Sequence, residues 1–108
     1  MLTSVQSDES LAGVLRVLGD PLRMQIVSML AREQLCTCHI VAETGARQTN
    51  VSNHLRILRE AGLVESEPAG RYTYYRLVPE ALDALAASVG GLAEGARSTS
   101  KVRRPACD

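Results

Sequence analysis

The sequence predicts a mainly α-helical domain with one small β-hairpin, in the order α-α-α-α-β-β-α. Three observations carry this expectation. Four stretches of the chain repeat apolar residues at the i, i+3, i+4 spacing of a helix. A brief helical stretch from His39 to Thr44 ends at Gly45, and another helix begins within a few residues, as in a helix-turn-helix. The segment that follows carries all three tyrosines on one side of the turn-forming run Pro68-Ala69-Gly70-Arg71, the composition of a hairpin. At 108 residues the chain supports one domain whose core buries about two thirds of the unfolded surface.

Each element follows from local chemistry. Ser7 is placed to cap the first helix, with Asp8 and Glu9 in its first turn, where the helix dipole favours acids. Leu11, Val14, Leu15 and Leu18 form its stripe. Gly19-Asp20-Pro21 ends it, and Asp20 then caps the second helix with Pro21 in the first helical position. Leu22, Ile26, Met29 and Leu30 face one way along that helix, to about Arg32. Gln34 to Cys38 reads as a short polar-punctuated connection, with Thr37 as a cap for the His39 helix. The longer helix, Gln48 to Ala61, carries Val51, Leu55 and Leu58 and stops at Gly62. Leu63 to Glu67 and Tyr72 to Leu77 are the two expected strands. Pro79 opens the last helix, striped by Leu82, Leu85, Ala86, Val89 and Leu92. Gly90, Gly91 and Gly95 weaken it by about 1 kcal/mol each relative to Ala, but the stripe continues across the glycine pair.

Composition excludes more than it assigns. Apolar residues make up 45% and charged residues 22%, close to a globular average, which argues against wholesale disorder. No apolar run approaches a membrane span and no export signal is visible, so a cytoplasmic protein without a membrane partner is expected. Twelve basic and twelve acidic residues cancel, but Gly45 to Arg76 carries five arginines against three glutamates, which permits a nucleic-acid face there. Three tyrosines with no Trp or Phe argue against a stacking platform for single strands. No catalytic constellation and no glycine-rich phosphate loop appear, so the chain does not read as an enzyme and no organic cofactor is expected.

A helix-turn-helix followed by a hairpin is a winged helix. Wound at 100° per residue, the Gln48 helix puts Thr49, Ser52, Asn53 and Arg56 opposite its apolar stripe, with Gln48 on the leading turn and Asn50 as a further candidate for DNA contact. Short polar groups beside one guanidinium suit base edges and phosphates in a major groove of double-stranded DNA. Arg71, at the hairpin tip, can enter a minor groove. His54 borders the stripe and reads either as a packed, hydrogen-bonded ring or as a phosphate contact. Residues 1–97 are thus read as the DNA-binding and dimerisation domain, and 98–108 as a flexible basic tail carrying Cys107. The terminal helices carry stripes that so small a core leaves partly uncovered, so they are the expected homodimer surface.

The runs Asp20-Pro21-Leu22-Arg23, Asn50-Val51-Ser52-Asn53-His54-Leu55, Leu58-Arg59-Glu60-Ala61-Gly62-Leu63-Val64, Gly70-Arg71-Tyr72 and Tyr75-Arg76-Leu77 resemble the ArsR/SmtB family of metal-sensing repressors. The resemblance spans residues 8 to 95. It implies a homodimeric winged-helix repressor on an inverted-repeat operator, released when an inducer binds, with the Gln48 helix in the major groove. Arg47 stands where the family has a small polar residue.

Leu35-Cys36-Thr37-Cys38 resembles the Cys-Val-Cys element of the family's arsenic sensors, which implies As(III) or Sb(III) as inducer ligand. Thiolates are the ligands for such soft ions. On a regular helix, residues i and i+2 point about 200° apart, so the two sulfurs converge only if Cys36 stays outside the first turn in extended geometry. Some relatives carry a third cysteine where this chain has Val41. Cys107 is then the obvious third thiolate, because a flexible span of about a dozen residues reaches roughly 20 Å. His39 is the alternative third ligand. The family's zinc site needs a histidine on the last helix, which has none here, whereas cadmium or lead with three thiolates stays open. Two other functions also stay open: a redox or persulfide sensor using the same cysteines, and a small dimeric protein-binding adaptor. For a disulfide, a Cys36–Cys38 link demands unfavourable geometry, so Cys107 is the expected bridging partner.

Overall fold

The computed structural model describes residues 10–107. It contains five helices and three strands in the order α1 (Leu11–Leu18), α2 (Pro21–Leu30), β1 (Leu35–Cys36), α3 (Thr37–Thr44), α4 (Gln48–Glu60), β2 (Val64–Ala69), β3 (Tyr72–Leu77) and α5 (Pro79–Ser98). The expected helix order and hairpin are present, and one strand is added. β1 pairs antiparallel with β3, Leu35 opposite Tyr75 and Cys36 opposite Tyr74, to give a sheet ordered β1-β3-β2. Two residues in a polar-punctuated connection give no periodicity to read. The pairing exists because the hairpin offers β3 an open edge.

The caps follow the sequence chemistry at most ends. Ser7, Asp8 and Glu9 lie outside the described residues, and α1 is capped by Ser10, whose Oγ accepts from the Gly13 N–H at 3.1 Å. Asp20 Oδ1 accepts from the Leu22 and Arg23 N–H groups at 2.9 and 3.1 Å, with Pro21 opening α2 as expected. Arg47 precedes α4 as its N-cap and gives it no side-chain hydrogen bond. Its far end is a Schellman turn: Gly62 N–H donates to the Arg59 carbonyl and Leu63 N–H to the Leu58 carbonyl, both at 3.0 Å. Gly62 takes φ +79°, which a side chain would oppose.

The wing is tighter than the sequence suggests. Pro68 and Ala69 belong to β2, opposite Thr73 and Tyr72, so only Gly70 and Arg71 form the turn. Gly70 at φ +65° supplies the left-handed residue that such a two-residue connection requires. Pro68 is tolerated because β2 is an edge strand and need not donate on its outer side.

One core holds these elements. Ile26 of α2, Ile40 of α3 and Val51, Leu55 and Leu58 of α4 are fully buried, joined by Leu63 and Val64 at the start of the wing. α5 runs unbroken through Gly90 and Gly91 to Ser98 and buries none of its residues fully. No helix is long and apolar enough to cross a membrane among the described residues.

Two measurements test this core and its caps. Leu55→Ala leaves a cavity at the centre and should cost about 2–5 kcal/mol in denaturant unfolding. Asp20 is the pH-sensitive cap. The Arg23 backbone N–H, assisted by the charge on the Arg23 guanidinium and by the Leu22 N–H, outweighs desolvation and holds its carboxyl below the ordinary value. A lowered folded-state pKa gives stability that is present above the carboxylate range and lost as pH falls through it. Asp20→Asn retains a cap acceptor, so thermal unfolding from about pH 5 downward should show a flatter acid decline than in the parent protein.

Candidate metal centre and nucleic-acid interface

Burial of Val51, Leu55 and Leu58 fixes the rotation of α4 about its axis. Thr49, Asn50, Ser52, Asn53 and Arg56 are consequently exposed, Gln48 is exposed at the start of the first turn, and Arg71 is exposed at the wing tip. Arg56 pairs with Glu60 at 3.2 Å and donates to the Asn53 side-chain carbonyl. An exposed i, i+4 ion pair is worth about 0.3–0.5 kcal/mol, so exchanging it for a phosphate costs little.

His54 is half-buried, and its Nδ1 accepts from Arg23 Nη1 at 3.0 Å. Arg23 has no lone pair to offer, so Nδ1 must be the acceptor and the proton of the neutral ring sits on Nε2. Arg23 Nε also donates to the Val17 carbonyl at 2.6 Å. One guanidinium thus joins the end of α1, the start of α2 and the middle of α4. Sequence reading gave Arg23 no role, because its partners lie six and thirty-one residues away.

The two vicinal cysteines meet at the junction of β1 and α3. Cys36 occupies the cap position of α3 in an extended conformation (φ −90°, ψ 167°), and Thr37, the expected cap, is the first helical residue. This geometry defeats the divergence of residues i and i+2 on a helix. The two Cα atoms lie 5.4 Å apart and the sulfurs are joined in a disulfide. The expectation that Cys107 would be the more favourable bridging partner is therefore corrected: Cys107 is free and exposed in the tail. Cys36 is buried while Cys38 is exposed, so the pair is reachable from one side.

His39 completes a cluster. Ligand atoms of Cys36, Cys38 and His39 all lie within 4.8 Å of one another, and among the described residues Cys107 belongs to no such group. His39 Nδ1 accepts from the Cys36 N–H at 3.1 Å and lies 3.3 Å from Cys36 Sγ. Tyr74 of β3 contacts the imidazole, with ring centroids 5.9 Å apart. As thiols, the pair and its neighbouring nitrogen form a donor set suited to a thiophilic ion.

The cysteine pair adjoins exposed groups of α4 and the wing. An open cleft of about 300 Å³ is lined by Cys36, Thr37 and Cys38 on one side, Gln48 of α4, and Arg71, Tyr72, Thr73 and Tyr75 of the wing. No local sequence signal marks Thr37, Tyr72 or Thr73 as wall residues, because the cleft exists only once β1 has paired with β3.

Residues 20–66 match the family model described as bacterial regulatory protein, arsR family. An uncharacterized HTH-type transcriptional regulator of Methanocaldococcus jannaschii is 34% identical over 73 residues, covering 67% of this chain and 82% of that protein. The arsenical resistance operon repressor of Staphylococcus xylosus is 32% identical over 77 residues, covering 71% of this chain and 74% of that one. An ArsR-like transcriptional regulator from a Rhodococcus species superposes with a TM-score of 0.78 at 26% identity, covering 93% of both chains. The chain spans 82% of the length of the Methanocaldococcus jannaschii regulator but only 47% of the HTH-type transcriptional repressor SmtB of Mycobacterium tuberculosis, to which it is 42% identical over 64 residues. Fold, site and relatives agree: the chain belongs to the arsR family of winged-helix, DNA-binding transcription regulators, and it is not an enzyme.

Proposed function

We propose that this chain is a cytoplasmic homodimeric repressor that grips an inverted-repeat operator and releases it when a thiophilic ion binds Cys36 and Cys38. The observation that carries the reading is the position of the two sulfurs. They sit at the first turn of α3, in a cleft whose other walls are Gln48 of the reading helix and Arg71 of the wing. Arsenite or antimonite is the proposed inducer class, supported by the names of the arsenical resistance repressors among the relatives.

Two copies bring two α4 helices to successive major grooves. Dimerisation through α1 and α5 is supported by their uncovered apolar residues: Leu15 is 47% exposed, Val89 44% and Leu92 66%. Gln48, Thr49, Asn50, Ser52, Asn53 and Arg56 contact bases and phosphates from α4, and Arg71 contacts the adjacent minor groove. His54, held by Arg23, sets the position of α4 and offers Nε2 toward the backbone. Closing both sulfurs on one ion ties the end of β1 to the first turn of α3. Residues 45–47 are the whole connection to α4, so a shift of α3 is passed to the reading helix. Cys107 would have to come from the tail of the same or the partner protomer to contribute a further thiolate.

The joined sulfurs favour a second reading, in which the same pair responds to a two-electron oxidant such as a peroxide. Two thiols then yield one disulfide, with two protons and two electrons passed to the oxidant.

Titrating the reduced dimer on its operator separates these readings. Arsenite should weaken binding about 5- to 150-fold, a coupling of about 1–3 kcal/mol, and the Cys36→Ser/Cys38→Ser variant should lose that response. A response to peroxide alone selects the redox reading. Leu92→Glu with Val89→Glu should shift the protein from dimer to monomer in analytical ultracentrifugation and weaken operator binding with it.

A further inference from the structure

An ion held by Cys36 and Cys38 alone is short of donors. Cys107 lies in the exposed tail, apart from any cluster of ligand atoms among the described residues. His39 lies within the cluster, its Nδ1 3.3 Å from Cys36 Sγ. Tetrahedral zinc, the smaller d10 relative of cadmium, with bonds of about 2.3 Å to sulfur and about 2.0 Å to nitrogen, sets those two atoms roughly 3.5 Å apart, and the longer bonds of cadmium widen this by a few tenths of an ångström. The Cys36–His39 separation is therefore already close to that of two ligands on one ion. Tyr74 packs beside the ring from β3 and limits its orientation.

We propose that His39 is the third donor of this site, completing a two-sulfur, one-nitrogen set that accepts a divalent d10 cation of the cadmium class in addition to the metalloids. The inference rests on the reading of Cys36 and Cys38 as the inducer site and deepens it. Thiolates select soft ions, and an imidazole broadens the set toward borderline divalent ones, whereas three sulfurs would favour the trivalent metalloids.

The same nitrogen supplies a coupling. Neutral imidazole has one lone pair at Nδ1, and it now accepts the Cys36 N–H at the start of α3. It cannot hold an ion and that N–H together. Ion capture at Nδ1 thus releases the N-terminal cap of α3, the helix that leads directly into α4. Ion binding and the capped helix are mutually exclusive states of one atom, which gives the ion a different affinity for each.

The test uses the full chain, reduced by a phosphine. The phosphine gives two electrons to the disulfide and leaves as its oxide, with oxygen from water, and two thiols remain. Cadmium(II) alone is the probe, read by X-ray absorption and by chelator competition. The expected shell is two sulfurs and one imidazole nitrogen, unchanged in Cys107→Ser. His39→Gln keeps a side chain able to accept the Cys36 N–H, so its fold is preserved. It should nevertheless lose the nitrogen and bind at least about tenfold more weakly, since losing even a group that only orients a ligand costs 10–100-fold. His39→Cys should restore a third ligand as sulfur. Three sulfurs in the parent protein, falling to two in Cys107→Ser, overturn the His39 assignment and leave the thiolate sensor standing. An unchanged shell and affinity in His39→Gln also overturn it. No sulfur around the ion in any variant overturns the sensor reading as well.

Discussion

Burial of Val51, Leu55 and Leu58 against Ile26 and Ile40 is the constraint on which the other features depend. Those three side chains leave α4 one rotational setting. Ser52, Asn53 and Arg56 must then face outward, in a fixed order, while His54 is turned toward Arg23. The exposed polar face of α4 is therefore a by-product of core packing. The same packing sets the height of α3 against α4, because Ile40 lies in the same cluster and the link between the two helices is three residues long. A displacement at the start of α3 meets a close-packed interior with low compressibility, and such interiors transmit strain.

Around that core, polar groups do the joining. Arg23 connects the Val17 carbonyl to His54 and so couples α1, α2 and α4 through one charged side chain. β1 ties the cysteine junction to β3, placing Cys36 opposite Tyr74. The Cys36, Cys38 and His39 cluster is thus joined to α4 through α3 and to the wing through the sheet. α5, in contrast, buries none of its residues fully within the protomer. Ala81, Leu82 and Leu85 pack against the core from its first turns, while Val89 and Leu92 lie exposed.

The helices were legible because their signals are local. Asp20 with Pro21, the Gly62 stop and the stripes of α1, α2 and α4 are each read within one or two turns of chain. The exposed set on α4 was legible for the same reason, since helical periodicity assigns a face once the buried residues are known. β1 was not legible: two residues carry no period, and the strand exists only because β3 presents an edge far along the chain. Pro68 read as loop because proline is a poor strand residue, but an edge strand accepts it.

Residue identity alone determined the order of the helices and the hairpin, the exposed polar face of α4, the position of Arg71 at a turn and the presence of two thiols near the start of a helix. Tertiary structure decided how those thiols are arranged. The extended cap conformation at Cys36 turns an i, i+2 pair that would diverge by about 200° on a helix into a convergent one. It also places His39 beside the pair, with Tyr74 behind it, and leaves Cys107 outside. The reason is geometric. Spacing along a helix follows from sequence, but the direction of a side chain at a strand-to-helix junction depends on backbone angles that the distant strand β3 helps to fix.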